Sequence, residues 1–279
     1  MRRSLIFTVL LLAAMSAASS QTLTRTYIEL ADSADNYMKR ERWEDAERMI
    51  MGALRHEPAN RSNWLLWSNL GVVRTHRDNY SGALEAYDIG LSGAPRSTVL
   101  LSNRAWTHLY FDHPGEAMAD LDRTISLDSL QAWPLKMRGL LTMTRTPDKA
   151  LRDLHRSDSI ASGDAAVKGA IADILAARGQ TADAVDYYEA SLKLAPDDMV
   201  SYKLLLILTD TGNSSDTQDR TINALAKWPE NPGLHLVRAL QHKKNLQTDA
   251  CERERLRALS LGADPVLVNQ ILGNPPRRQ

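Results

Sequence analysis

The chain has 279 residues, and 34 Lys and Arg stand against 34 Asp and Glu, so no global field draws it to nucleic acid or to an acidic membrane. Only 2 Phe and 14 Gly, beside abundant Leu and Ala, give the composition of an all-α protein. One cysteine, Cys251, excludes an intramolecular disulfide framework.

Residues 1–20 read differently from the rest. Arg2 and Arg3 precede an apolar run from Leu5 to Met15, broken only by Thr8, and small residues fill Ser16 to Ser20. This is the pattern of a secretory signal peptide, cleaved after Ser20 or after Ala18. The run is too short to span a bilayer comfortably, so no membrane span is expected after cleavage. No Cys lies near the cleavage region, which rules out a lipoprotein. Export to the periplasm or cell envelope follows as the expectation.

Helical patterning then continues along the chain with an internal repeat. An Ala followed four positions later by a large residue returns about every 34 residues: Ala46-Ile50, Ala83-Tyr87, Ala117-Leu121, Ala150-Leu154 and Ala184-Tyr188. Pro58, Pro95 and Pro196 follow three of these pairs, where a proline ends the helix. Upstream of each pair lies a small residue, at Ala34, Gly71, Ala105, Gly139 and Ala172. The predicted units are 27–60, 64–97, 98–130, 131–163, 165–198 and 199–230. A degenerate pair and capping helix over 231–273 and a flexible tail, 274–279, complete the chain. Cys251 sits on the apolar side of a predicted helix and is expected to be buried.

The copy from Trp64 to Ser97, with Trp67-x2-Leu70-Gly71, Ala83-x3-Tyr87 and Pro95, resembles the tetratricopeptide repeat family. The resemblance covers most of the chain after residue 26. It implies an all-α, right-handed superhelical solenoid of antiparallel helix hairpins, about six or seven pairs in one array over 21–273. It also implies that the first helix of each pair lines a concave groove that takes a protein or peptide partner. Mapped onto this sequence, that face receives Asp35, Met38 and Lys39, then Asn69, Val72 and His76, then Asn103, Trp106 and Tyr110. Trp133, Lys136, Met137, Leu140, Met143 and Asp173 continue it. Asn69, Asn103, Trp106, Tyr110, Trp133, Met137 and Leu140 are the candidate partner-binding residues. Packing between neighbouring hairpins is the alternative use of the aromatics. The family's carboxylate clamp needs basic residues on the third such helix, where this chain has Trp133 and Met137.

One further regularity lies inside the repeats. Arg104 and Arg138 replace a core aliphatic, and the same two repeats carry Asp120 and Asp153 three residues after the repeated Ala. Repeats with Leu70 or Ile171 at the Arg position have Ala86 or Tyr187 at the Asp position. The covariation predicts structural ion pairs Arg104–Asp120 and Arg138–Asp153 between the two helices of a repeat.

Enzymatic signals are poor. The histidines are scattered without metal-ligand spacing, and no phosphate-cradling loop or nucleophile elbow occurs. His113-Pro-Gly-Glu116 reads as turn chemistry. No catalytic residue, metal or cofactor is assigned. The expected function is a non-catalytic interaction scaffold or assembly factor of the envelope. An accessory subunit of an envelope enzyme or secretion complex is the alternative, and an intrinsic hydrolase a distant one. Self-association into a homo-oligomer is the rival mode of binding.

Overall fold

The computed structural model describes residues 24–274, so the apolar leader 1–20 and the tail beyond Asn274 lie outside the described residues. The described residues form fifteen α-helices and no strand. They fall into two compact units, up to Leu141 and from Thr142 onward.

The first unit holds α1 (Arg25–Lys39), α2 (Trp43–His56), α3 (Asn63–His76), α4 (Tyr80–Gly93), α5 (Thr98–Tyr110), α6 (Pro114–Leu127) and α7 (Ala132–Thr142). α1/α2, α3/α4 and α5/α6 pack as hairpins. The second unit holds α8 (Pro147–Ile160), α9 (Ala165–Ala177), α10 (Thr181–Leu194), α11 (Asp198–Thr211) and α12 (Ser215–Lys227). It continues with α13 (Pro232–Lys244), α14 (Thr248–Ser260) and α15 (Pro265–Leu272). Here α9/α10, α11/α12 and α13/α14 are the hairpins, and α15 lays Val268 and Leu272 on the last core cluster.

The repeat positions explain the packing. Ala46, Ala83, Ala117, Ala150 and Ala184 are all fully buried, and the absence of a longer side chain there lets paired helices approach closely. At Gly71 the space is taken by a neighbour: a Cβ would lie 2.4 Å from the Tyr87 ring. Tyr87 is fully buried, and its hydroxyl accepts from Thr107 Oγ1 at 3.2 Å, which in turn lies 2.8 Å from Thr75 Oγ1. Chain direction is set at both ends of a hairpin. Glu57, Ala94, Ala195 and Trp228 cap second helices with non-helical ψ, each just before a proline that forbids the α conformation. Side chains of Thr24, Ser97, Asp164, Asp197 and Asn231 cap the first helices that follow.

Inside a hairpin the turn is a six-to-one bonded cap. Arg42, Asn79, His113, Gln180 and Gln247 donate their N–H to Tyr37, Arg74, His108, Leu175 and His242 carbonyls at 2.8–3.0 Å. The left-handed residue this cap requires is Gly179 in one case. In the others it is Glu41, Asp78, Asp112 and Leu246, with φ between 55° and 62°. Pro114 is therefore the first residue of α6 rather than part of the turn, contrary to the sequence expectation.

Arg104 and Asp120 come together. Arg104 Nε and Nη2 each donate to one carboxylate oxygen of Asp120 at 2.8 Å, and Nη1 reaches back to Asp88 at 2.5 Å. One guanidinium thus links α4, α5 and α6. Arg138 Nη1 donates to Asp122 at 2.7 Å, the same backward contact one repeat on. Asp153 is buried on α8 in the second unit. Cys251 is buried among Leu236, Leu240 and Ala258, and burial pushes its thiol pKa up, which makes it a poor nucleophile.

Two stability measurements follow. Asp120→Ala leaves the Arg104 charge without its buried partner and is expected to cost about 3 kcal/mol in urea unfolding. Asp88→Ala, at a carboxylate 64% exposed, should cost under about 1 kcal/mol. Gly71→Ala drives a methyl into the Tyr87 ring and is expected to cost about 1–3 kcal/mol. Its effect and that of Tyr87→Leu should be non-additive, the double variant being more stable than the sum.

Candidate functional site

All seven candidate groove residues belong to the first unit. Asn69 and His76 stand two turns apart on one face of α3, and Asn103, Trp106 and Tyr110 share a face of α5. Trp133, Met137 and Leu140 do the same on α7. The two amides are the buried floor: Asn69 is 4% exposed and Asn103 2%. Asn103 Nδ2 donates to Ser68 Oγ at 3.0 Å. Asn69 Oδ1 is buried without a hydrogen-bond partner, an arrangement that costs about 1–3 kcal/mol until a donor arrives.

The larger residues divide by depth. Met38 and Val72, which the repeat register assigns to the groove, are buried in the first core cluster and offer no exposed surface to a partner. Trp133 and Met137 are half-buried and pack on Ala105, Ala117 and Leu121, while Leu140 is also half-buried. Asp35 pairs with Lys39 on its own helix at 2.5 Å. In the second unit Asp173 receives the Tyr188 hydroxyl at 2.6 Å and the Lys203 ammonium at 2.7 Å, so its charge is locally balanced.

Trp106 and Tyr110 belong to a longer run of rings that sequence reading did not assemble. Trp43 stacks on His76 at 4.1 Å and 3°, and His76 meets Trp106 at 5.3 Å. Trp106 meets Tyr110 at 5.5 Å, Tyr110 meets Phe111 at 5.1 Å, and Phe111 meets Tyr80 at 5.0 Å. Tyr80 ends the run stacked on His113 at 4.7 Å and 9°. Every ring in this run is half-exposed. The members missed are Trp43, Tyr80, Phe111 and His113, which sit at helix starts and in a turn. Their common signal is position: each adjoins a hairpin turn, in the first (Trp43), second (Tyr80) or third (Phe111 and His113) hairpin.

The acidic turn residues run alongside. Glu41, Asp78 and Asp112 are exposed, and Asp78 Oδ1 accepts from the Tyr110 hydroxyl at 3.4 Å. Burial lowers the pKa of His76, outweighing the opposite pull of Glu41 and Asp78. Burial also lowers that of His108, against the raising effect of nearby Asp120. Both imidazoles are therefore neutral near pH 7.

Among the described residues no group of three His, Cys, Asp or Glu could hold a metal ion. No helix there is long and apolar enough to cross a membrane.

Comparison with known proteins agrees with this geometry. Residues 169–199 match the tetratricopeptide repeat family, and no curated protein matches the chain in sequence. A tetratricopeptide repeat protein from Parabacteroides merdae is 19% identical with a TM-score of 0.58, covering 89% of this chain and 98% of its own. PilW, a widely conserved type IV pilus biogenesis factor, is 19% identical with a TM-score of 0.59, covering 76% and 98%. YrrB, a tetratricopeptide repeat protein with an unusual peptide-binding site, is 13% identical with a TM-score of 0.57, covering 66% and 96%. The fold is that of tetratricopeptide repeat proteins, an architecture typical of interaction modules.

The buried imidazoles make stability depend on pH. The unfolded chain protonates its histidines at about 6.5. His76 and His108 hold off their protons to lower pH, so their contribution is complete above 6.5 and is lost as pH falls through their folded values. Proton–carbon NMR should place both midpoints below about 6.5. A midpoint above it for either residue contradicts the assignment of burial as the dominant influence.

Proposed function

We propose that this protein is an exported, non-catalytic scaffold of the cell envelope that holds an extended protein segment along the first helices of its N-terminal unit. The observation that carries the reading is the face shared by α3 and α5. It offers the half-exposed rings of Trp106 and Tyr110 beside the unpaired buried carbonyl of Asn69. Aromatic rings anchor a partner through large contact area at low entropic cost. Asn103 supports the floor, and Trp133, Met137 and Leu140 extend the apolar side of the groove. Export rests on the leader, residues 1–20, and the fold of a pilus biogenesis factor accords with an envelope setting.

The test compares tagged residues 21–279 with a Trp106→Ala/Tyr110→Ala variant in pull-downs from envelope extract, with helicity checked by circular dichroism. A defined partner retained by the wild type and lost by a helical variant supports the groove. Retention by both would assign the rings to packing and move the binding surface elsewhere. Recovery of the tagged protein from the cytosolic fraction, leader intact, would overturn export.

A further inference from the structure

We infer that the segment bound by this groove is cationic, presenting Lys or Arg side chains to a ladder of aromatic faces edged with carboxylates. The inference rests on the groove reading above and names the chemistry of its occupant.

Two independent features of the first unit select a cation. Trp43, His76 and Trp106 come from three successive hairpins and present half-exposed rings, each within 5.3 Å of the next. A ring face attracts a guanidinium or ammonium through its quadrupole. Glu41, Asp78 and Asp112 stand in the three turns of the same hairpins, and none is bridged by a Lys or Arg. Most of the basic residues close by are engaged, and only Arg40, exposed beside Glu41, makes no ion pair. Arg42 holds Asp45, Arg74 holds Glu47, and Arg77 holds Glu44 and Glu47. Glu41, Asp78 and Asp112 outnumber Arg40, so the uncompensated charge along this edge is negative on balance.

The first turn also offers room. A depression of about 480 Å³ is lined there by Glu41, Trp43, Glu44 and Asp45 together with the two bridged arginines, Arg42 and Arg77. Asn69 lies buried two turns before His76 on the same face of α3. His76 is neutral, so it adds π surface without repelling a cation. Spacing sets the pattern of the ligand. Packed helices lie about 8–10 Å apart. A polyproline-like chain rises about 3.1 Å per residue and returns to the same side every third residue. A basic side chain at every third position would therefore meet one turn after another.

The probes are fluorescein-labelled peptides of Ala-Pro-Arg repeated four times, and the same peptide with Gln or Glu replacing Arg, read by fluorescence anisotropy. The Arg peptide is expected to bind at least about tenfold more tightly than either. Its affinity should fall with salt. Glu41→Gln/Asp78→Asn/Asp112→Asn, which keeps residues suited to a left-handed turn at two of three sites, is expected to weaken it about tenfold. Trp43→Ala/Trp106→Ala should do likewise. Asp183→Asn/Asp219→Asn/Asp249→Asn makes the same charge change at exposed sites of the second unit and should leave affinity within about twofold. If the tryptophan variant does not fold, the two carboxylate triples decide alone. Equal binding of the Gln or Glu peptide, no binding of the Arg peptide, or equal loss in both triples overturns the proposal. An envelope partner lost with Trp106→Ala/Tyr110→Ala but kept by the turn triple would uphold the groove and overturn only its cationic occupant.

Discussion

Every other feature of this chain depends on close approach between the two helices of a hairpin. The buried alanines from Ala46 to Ala184 give the helix axes room to converge, and Tyr87 or Tyr188 fills what is left. A hairpin made this way has one apolar face turned outward from the pair, and only the next hairpin can cover it. The fold is thus a consequence of small residues at a fixed interval. Side chains on the remaining faces are released from packing duty and are free to differ between repeats.

That freedom shows in the first unit. Its hairpins place rings and carboxylates where an ordinary repeat needs only a good helix end. The left-handed turn positions illustrate the point. Gly179 satisfies the turn at no steric cost, whereas Glu41, Asp78 and Asp112 occupy the same conformation at a penalty of about 1–2 kcal/mol each. A charged residue at such a site puts its side chain in solvent at the end of the hairpin. Local backbone strain and surface chemistry are coupled here, while the core of the hairpin beneath is unaffected.

The architecture was legible in the sequence because steric requirements repeat with the fold. Ala83, Tyr87 and Gly71 announce a hairpin before any coordinates are known. The Arg104–Asp120 contact was legible for the same reason, since a charge in a core position demands a partner that varies with it. Its backward leg was not noticed, although Asp88 and Asp122 keep the same spacing as Arg104 and Arg138. The aromatic run was the least visible part. Trp43 and Tyr80 share a repeat position, three residues before the repeated Ala, but Phe111 and His113 do not. They meet because turns of neighbouring hairpins are stacked, and a period read along the chain does not report which helix ends touch. Met38 and Val72 failed for a related reason. Their register is right, but a period along the chain does not report which positions of a face neighbouring side chains cover, and both are buried.

The Arg104 guanidinium has a bearing on how the protein would respond to tension. An array of hairpins stretched from its ends parts first at its weakest interface, and uniform interfaces yield one repeat at a time. Arg104 reaches Asp88 on the second hairpin and holds Asp120 within the third, so parting these two hairpins gives up the exposed Asp88 leg while the charge stays paired with Asp120. Under load that outer leg would yield first, and the third hairpin would come away whole with its buried pair intact, so the ion pair strengthens the repeat itself rather than the seam between repeats.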